Sequence, residues 1–231
     1  MRNVILDLCG GTGAWSRPYR EAGYEVELIT LPAYDVTRVE FGTHAMHFEQ
    51  MDVHYHETNT VLYSDLVGIL AAPPCTEFSI AKGARPRNLA AGMETVAACM
   101  RIIQEVQLHA HLDFWALENP RGLLRRFLGV PKYTFEQWQF GEDRVKATDV
   151  WGYFNPPTPT HKEKPAPRTS RKGRTHAAEW SRCEYPPEYE DYIKQFRGDE
   201  RRAAARAITP AGFAAAFFRA NSRTRKEVAN A

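Results

Sequence analysis

Apolar residues follow two distinct spacings between residues 4 and 117. Continuous or alternating apolar runs predict buried strands over residues 4–8, 24–31, 66–72 and 114–117. Apolar positions at helical spacing predict helices over residues 14–22 and 89–112. Strands that alternate with helices are typical of an α/β fold, so we expect a mostly parallel sheet with helices on both faces.

The composition changes after Trp151, where proline, threonine and basic residues become frequent. Residues 160–182 contain seven basic and two acidic residues, which predicts a basic, loop-rich insertion. Alanine-rich residues 199–220 predict helix again, with a break at Thr209-Pro210. The predicted divisions are a core at 1–154, a small basic insertion at 155–205 and a C-terminal helix at 206–231 that returns to the core.

Composition and charge narrow the class of protein. The chain has 231 residues, of which 43% are hydrophobic, enough for one domain with a substantial core. It contains no apolar run of about 18 residues and no secretory leader pattern at its start, so we expect a cytoplasmic protein that does not enter membranes. The four cysteines are far apart and form no metal-ligand or disulfide pattern. The net charge of +2 alone indicates nothing about nucleic acid.

The first predicted strand ends in a glycine-rich turn, Asp-Leu-Cys-Gly-Gly-Thr-Gly at residues 7–13. Glycines allow a ligand to approach the backbone closely, and the start of a helix favours an anionic group. Such ligands bind at the carboxyl ends of strands in open α/β sheets. The turn could also be only a tight connection. Asp35 and Asp52 are candidates for contacts to ribose or adenine, although such residues are more often helix caps or surface charges.

Residues 72–79, Ala-Pro-Pro-Cys-Thr-Glu-Phe-Ser, follow another predicted strand. An isolated cysteine is usually an inert core residue. Two prolines fix the backbone before Cys75, however, and a rigid loop at the rim of a sheet suits a nucleophile. Glu118, in Glu-Asn-Pro after the last of these strands, is expected at the same rim. It is either a proton donor or acceptor beside Cys75, or a cap or surface charge.

Residues 139–146, Gln-Phe-Gly-Glu-Asp-Arg-Val-Lys, contain a third group of candidates. In an extended segment, Arg144 and Lys146 lie on the same side of the chain because they are two residues apart. They then either contact phosphate or a base, or are ordinary charges on an exposed strand.

These segments together resemble the DNA cytosine carbon-5 methyltransferases, and they occur in the family's order. The matching motifs are the cofactor turn at 7–13, the nucleophile motif at 73–75, the glutamate motif at 118–120, usually Glu-Asn-Val in the family, and part of the glutamine-and-arginine motif at 139–146. The likeness is greatest to compact viral or prophage members, which share the pattern at 140–151. The large target-recognition domain common in the family is absent, so the basic insertion would replace it.

The resemblance implies a Rossmann-like fold that binds S-adenosylmethionine and adds Cys75 to carbon 6 of a cytosine flipped out of DNA. It implies that Glu118 binds the N3 edge of the base and that Arg144 holds the base or a nearby phosphate. The expected cofactor contacts are Asp7, Leu8, Gly10, Gly11, Gly13, Asp35, Asp52 and Pro73. The expected substrate contacts are Pro74, Ser79, Asn119, Pro120, Gln139, Lys146, Arg171 and Lys172. We expect a monomer in the cytoplasm of a bacterium or a phage-infected host.

Three other functions remain open. An RNA cytosine methyltransferase of the same fold would have the same motifs. A catalytically silent nucleic-acid-binding protein is a second alternative, against which the intact Cys75 and Glu118 argue. An enzyme that acts on free deoxycytidine nucleotide is a third, since thymidylate synthases use a cysteine on a pyrimidine. The cofactor turn and the basic insertion argue against this last function.

Overall fold

The computed structural model describes residues 2–43, 51–56, 59–142, 145–166, 168–169, 175–176 and 185–222. Its strands are β1 (Val4–Leu8), β2 (Glu25–Ile29), β3 (Glu40–Thr43), β4 (Met51–His56), β5 (Asn59–Leu62), β6 (Leu66–Ala71), β7 (Phe114–Pro120), β8 (Tyr133–Glu136), β9 (Ala147–Tyr153), β10 (Arg168–Thr169) and β11 (Thr175–His176). Its helices are α1 (Arg17–Glu21), α2 (Leu89–His109), α3 (Arg125–Leu128), α4 (Glu190–Lys194), α5 (Gly198–Ala207) and α6 (Ala211–Asn221). Within these ranges, no helix has the length and apolar character needed to cross a membrane.

The main sheet has six strands in the order β2-β1-β6-β7-β9-β8. Strands β2, β1, β6 and β7 are parallel, whereas β9 runs antiparallel to both β7 and β8. The expected α/β fold with a mostly parallel sheet is therefore confirmed, and the arrangement is compatible with a Rossmann-like fold.

Each face of the main sheet packs into its own apolar core. Val4, Leu6 and Leu8 of β1 belong to the core that α2 covers, whereas Ile5 belongs to the core that α6 covers. Alternate residues of a strand face opposite sides of the sheet, so β1 is buried along its whole length. This double burial explains the continuous apolar run that predicted the strand.

Three antiparallel parts of the described structure were not predicted from the sequence, and the smallest is the pair β10–β11 within the predicted loop-rich insertion. Strands β3, β4 and β5 form a separate three-stranded sheet, and β8 and β9 extend the main sheet at its edge. Strands β3, β5 and β8 have four residues each, which is too short to show a clear period. The helix predicted over 14–22 is also shorter than expected, because residues 11–16 form turns before α1 begins at Arg17.

Helix α6 packs on the core, and the predicted helical break at Thr209-Pro210 is confirmed because α5 ends at Ala207 and α6 begins at Ala211. Phe213 and Phe217 of α6 contact Trp15, with ring centroids 5.8 and 5.3 Å apart. The predicted boundary between 205 and 206 falls inside α5, however, so the insertion and the C-terminal part are joined by one continuous helix.

Candidate active site

Three loops meet at one edge of the main sheet. Strands β1, β6 and β7 are adjacent and parallel, so their carboxyl ends lie side by side. The glycine turn at 7–13 follows β1, the loop with Cys75 follows β6, and Glu118 lies near the end of β7. The structure thus brings the turn, Cys75 and Glu118 to one rim, as the sequence predicted.

A buried carboxyl group supports the glycine turn from beneath. Asp7 has no exposed surface, and its Oδ2 accepts a hydrogen bond from the Ser16 hydroxyl. In the described part of the chain, its Oδ1 has no hydrogen-bond partner. Burial raises the pKa of Asp7 to about 6, although the Ser16 hydrogen bond and the charge of Arg20 oppose this. A Cβ at Gly10 would lie 2.1 Å from Asp7 Oδ1, so only glycine fits at that position.

Gly11 is half-buried and Gly13 is buried. Both have positive φ angles, 59° and 67°, a conformation that favours glycine. The Gly11 N–H donates to the Thr30 hydroxyl at 3.2 Å. Leu8 is fully buried, and its carbonyl accepts a hydrogen bond from Ala72. We therefore expect ligand contacts from the half-buried Gly10 and Gly11 and not from Gly13 or Leu8, which are buried.

The two acidic candidates beyond the turn lie in different settings. Asp35 caps the short helical turn that follows it, because its Oδ1 accepts hydrogen bonds from the N–H and the hydroxyl of Thr37. These hydrogen bonds lower the pKa of Asp35. Asp52 lies within β4, opposite Gly42, and not in a loop of the main sheet. Asp35 therefore has the helix-capping role that the sequence left open.

Hydrogen bonds fix both sides of the loop that contains Cys75. The Cys75 carbonyl accepts from the N–H groups of Phe78 and Ser79, at 3.0 and 2.9 Å, which closes a tight turn. The carbonyl of buried Pro73 accepts from the side-chain amide of Asn119, at 2.9 Å. Since Asn119 belongs to β7, the loop that follows β6 is tied directly to the next strand.

The far end of this loop is fixed by residues from outside it. Gly122 pairs with Ser79, and a Cβ at Gly122 would lie 2.3 Å from the Phe78 carbonyl oxygen. The Arg87 guanidinium donates to three backbone carbonyls between residues 77 and 83. Cys75 therefore sits on a rigid support, although its side chain remains half-buried and not fully enclosed.

Glu118 lies close enough to Cys75 to affect its ionisation. Burial raises the pKa of the Cys75 thiol, Glu118 adds to this rise, and Lys146 and Arg206 oppose it. Burial also raises the pKa of Glu118; Lys146 opposes this rise and Asp149 adds to it. The protonated forms of both groups are therefore favoured, and Lys146 is a cation that acts on both.

A cleft opens beside Glu118 and Lys146. It contains about 230 Å³ of space, including open solvent at its mouth. Thr209 and Pro210, from the break between α5 and α6, form one wall. Lys146 Nζ donates to the Arg206 carbonyl at 3.0 Å, although the two residues are 60 positions apart. The sequence did not predict this wall.

The remaining predicted substrate residues lie in several places. Pro74 is exposed next to Cys75, whereas Pro120 is buried at the end of β7. The extended segment predicted to begin at Gln139 is wrong at its start, because residues 137–140 form a helical turn. That turn is closed by the Gln139 side chain, whose amide oxygen accepts from the Glu136 N–H at 2.7 Å. The predicted residues Arg144, Arg171 and Lys172 lie outside the described residues.

No protein-family model and no curated protein matches this chain. The geometry and chemistry of the site are therefore the basis for assigning its function. Among the described residues, no group of three or more His, Cys, Asp or Glu side chains could hold a metal ion. The rim instead offers a thiol, a carboxyl group and an ammonium group beside a turn in which Gly10 and Gly11 are half-buried. This set can add sulfur to an electrophilic carbon of a planar ligand and move a proton on the same ligand.

Proposed function

We propose that this protein is a DNA cytosine carbon-5 methyltransferase that uses S-adenosylmethionine. The observation that carries the proposal is the placement of Cys75 and Glu118 at one rim, with Lys146 beside both and the glycine turn on a neighbouring strand. Methylation at carbon 5 needs a nucleophile, a proton donor for the ring and a site for a methyl donor, all within reach of one base.

Cys75 would make carbon 5 of cytosine reactive. Carbon 5 is a weak nucleophile, but when sulfur bonds to carbon 6 the electrons of the carbon 5–carbon 6 double bond move to carbons 4 and 5. The product is an enamine with a nucleophilic carbon 5. The thiol must lose its proton as this bond forms, because the thiolate is the attacking species. Since burial raises the pKa of the thiol, we expect deprotonation to be coupled to binding of the base, with Lys146 and Arg206 favouring the anion.

Glu118 would manage the proton on the ring. Its protonated carboxyl donates to N3 as the sulfur adds, and the raised pKa favours that protonated form. After carbon 5 has been methylated, a base removes the proton from carbon 5. The electron pair restores the double bond, the carbon 6–sulfur bond breaks, and the Cys75 thiolate and the N3 proton return to their starting states.

S-Adenosylmethionine, when bound, supplies an electrophilic methyl group. Two features support the turn as its site: Gly11 is half-buried and has no side chain, and Asp7 Oδ1 is a buried acceptor with no partner among the described residues. Gly11 would contact the cofactor, and Asp7 would hold the turn in shape. Because β1 and β6 are neighbours in the sheet, both ligands are expected at the same rim.

DNA is the proposed partner, because the resemblance in the sequence is to enzymes that act on DNA. Carbon 5 is inaccessible inside a stacked duplex, so the base must be flipped out or be single-stranded. Unstacking costs a few kcal/mol, which phosphate contacts from the basic insertion could offset. A small recognition region reaches few base edges, so we expect a site of roughly two to four base pairs. Deep sequencing of methylated DNA that revealed a six-base palindrome would refute this expectation.

The proposal can be tested in cells that lack cytosine methylation. The protein is expressed, DNA and RNA are digested to nucleosides, and 5-methylcytosine is quantified in each by mass spectrometry. We expect 5-methylcytosine in the DNA of cells that express the wild-type protein and none in cells that express the Cys75→Ala variant. Cys99→Ala is a matched change at a buried cysteine of α2, and it should leave the amount of 5-methylcytosine undiminished.

The other outcomes distinguish the alternatives. Methylated cytosine in RNA alone would identify an RNA methyltransferase, and methylated deoxycytidine nucleotide in the soluble pool would identify a nucleotide enzyme. Binding of nucleic acid without any methylated product would identify a binding protein.

A further inference from the structure

Residues 185–197, which the sequence assigned to the DNA-contacting insertion, pack on the core close to the glycine turn. Arg17 of α1 forms an ion pair with Glu188, with Arg17 Nη1 and Glu188 Oε1 2.7 Å apart. Ile193 of α4 is completely buried. This segment therefore lies against α1, the helix that follows the turn.

Tyr192 of α4 lies over the outer side of the turn. Its hydroxyl oxygen is 3.0 Å from the position that a Cβ at Gly11 would occupy, and its nearest ring carbons are 3.5 and 3.9 Å from that position. At Gly10 the same position faces the Asp7 carboxylate, and at Gly13 it faces no aromatic ring. Gly11 is thus the point of the turn where an aromatic side chain approaches the backbone.

The ring and the hydroxyl group of Tyr192 have different surroundings. The ring contacts Phe196 edge to face, with centroids 5.2 Å apart, and the residue is half-buried. The hydroxyl makes no hydrogen bond to any residue that the structure describes. The hydroxyl can therefore form a hydrogen bond to a ligand at the turn.

We infer that Tyr192 contacts S-adenosylmethionine and that α4 is a cap over the glycine turn. The inference rests on the proposed function, because it takes the ligand of the turn to be that cofactor. A ligand held against Gly11 would contact Tyr192, since the hydroxyl oxygen lies 3.0 Å from the position that a Cβ at Gly11 would occupy. The hydroxyl hydrogen-bonds a polar group of the cofactor, and residues 185–197 belong to the cofactor site.

Calorimetric titration with S-adenosylhomocysteine and with S-adenosylmethionine tests this contact. We expect Kd to rise about threefold in Tyr192→Phe, which loses one hydrogen bond, and about tenfold or more in Tyr192→Ala. Tyr153→Ala is the matched control, because Tyr153 is 63% exposed and pairs with Trp115 at the opposite end of β7. Circular dichroism melts show whether each variant is folded.

Hydrogen–deuterium exchange on the wild-type protein tests the cap without any substitution. We expect S-adenosylhomocysteine to slow amide exchange in residues 186–196 as well as in the glycine turn. Protection of the turn alone would overturn the inference.

The outcomes separate this inference from the proposed function. A wild-type protein that binds neither S-adenosylmethionine nor S-adenosylhomocysteine would overturn both. A wild-type protein that binds them, with a folded Tyr192→Ala variant that binds equally well or more tightly, would overturn the contact and leave the methyltransferase proposal intact.

Discussion

The turn after β1 and the loop after β6 lie side by side at one rim, but they are fixed in opposite ways. The turn is stabilised from within, by Asp7 and Ser16 at its two ends and by the glycines between them. The loop with the predicted nucleophile is stabilised from outside, by Asn119, Gly122 and Arg87. The first arrangement places the half-buried backbone of Gly11 at the rim, whereas the second holds one reactive side chain in place.

The glycine turn and the Cys75 loop are therefore sensitive to different substitutions. A binding turn made of local contacts is vulnerable to any added side chain within it. A nucleophile loop made of long-range contacts is vulnerable to changes in the strand and helix beside it. Substitutions that remove the specific contacts of each region, or that add a clash within it, therefore test this comparison.

The largest effect is expected from Gly10→Ala. The new methyl group would lie 2.1 Å from Asp7 Oδ1, and the short, buried side chain of Asp7 has no room to withdraw. We expect the free energy of unfolding to fall by about 3 kcal/mol, the upper end for an overpacked core. We also expect binding of S-adenosylhomocysteine to weaken at least about tenfold, or about 1.4 kcal/mol. Chemical denaturation and calorimetry measure the two effects.

Two controls show whether the clash is the cause. Gly23→Ala adds the same methyl group where nothing lies within 4 Å, so it costs only the strain of a φ of 91°, about 1 kcal/mol. In an Asp7→Ala background, Gly10→Ala should lose most of its effect, because the clashing group is gone. An equally large cost in that background would contradict the account.

A slightly smaller effect on the free energy of unfolding is expected from the titration of Asp7. Its pKa in the folded protein is about 6, above the value near 4 of an unfolded aspartate, so the folded state binds the proton more tightly. The stability that this provides is full below about pH 4 and is lost as pH rises to about 6, a change of about 3 kcal/mol or less.

Asp7→Asn removes this dependence. The difference in unfolding free energy between wild type and variant should change over that range, in favour of the variant as pH rises. Urea denaturation at intervals of pH measures it. Parallel curves for the two proteins between pH 4 and 6 would show that the buried carboxyl group does not titrate as described.

Asn119→Ala is expected to have the smallest of the three effects on the free energy of unfolding. Its effect is the most specific to the loop that contains Cys75. The variant leaves the buried Pro73 carbonyl without its donor, which costs about 2 kcal/mol. Displacement of Cys75 should also lower methyl transfer about tenfold to a hundredfold. Binding of S-adenosylhomocysteine should be unchanged, because the turn does not depend on Asn119.

Asn155→Ala is the matched control. Its amide also donates to a backbone carbonyl, that of Ala220 at 3.1 Å, but on the exposed surface away from the rim. We expect less than about 1 kcal/mol of destabilisation and no loss of methyl transfer. Equal losses of turnover in the two variants would indicate a general effect on stability and not a role in positioning Cys75.

The same contrast explains what could be predicted from the sequence. Strands β1, β6 and β7 were predicted because burial on both faces leaves a continuous apolar run. Their shared rim follows from parallel pairing, so Cys75 and Glu118 could be placed together. The wall at Thr209 and Pro210 could not, because nothing near Glu118 in the chain specifies what packs against it. Tyr192 was missed for the same reason, since its contact with Gly11 exists only in the folded chain.

The proposed mechanism requires Cys75 to form a covalent bond to carbon 6 of cytosine during methyl transfer. The most direct test incubates purified protein with S-adenosylmethionine and DNA in which 5-fluorocytosine replaces cytosine. Because fluorine cannot leave as a proton does, the last step is blocked and the adduct should accumulate. Mass spectrometry of the digested complex should then show nucleotide on the peptide that contains Cys75. No adduct from a protein that binds both ligands, or an adduct on another residue, would contradict the account.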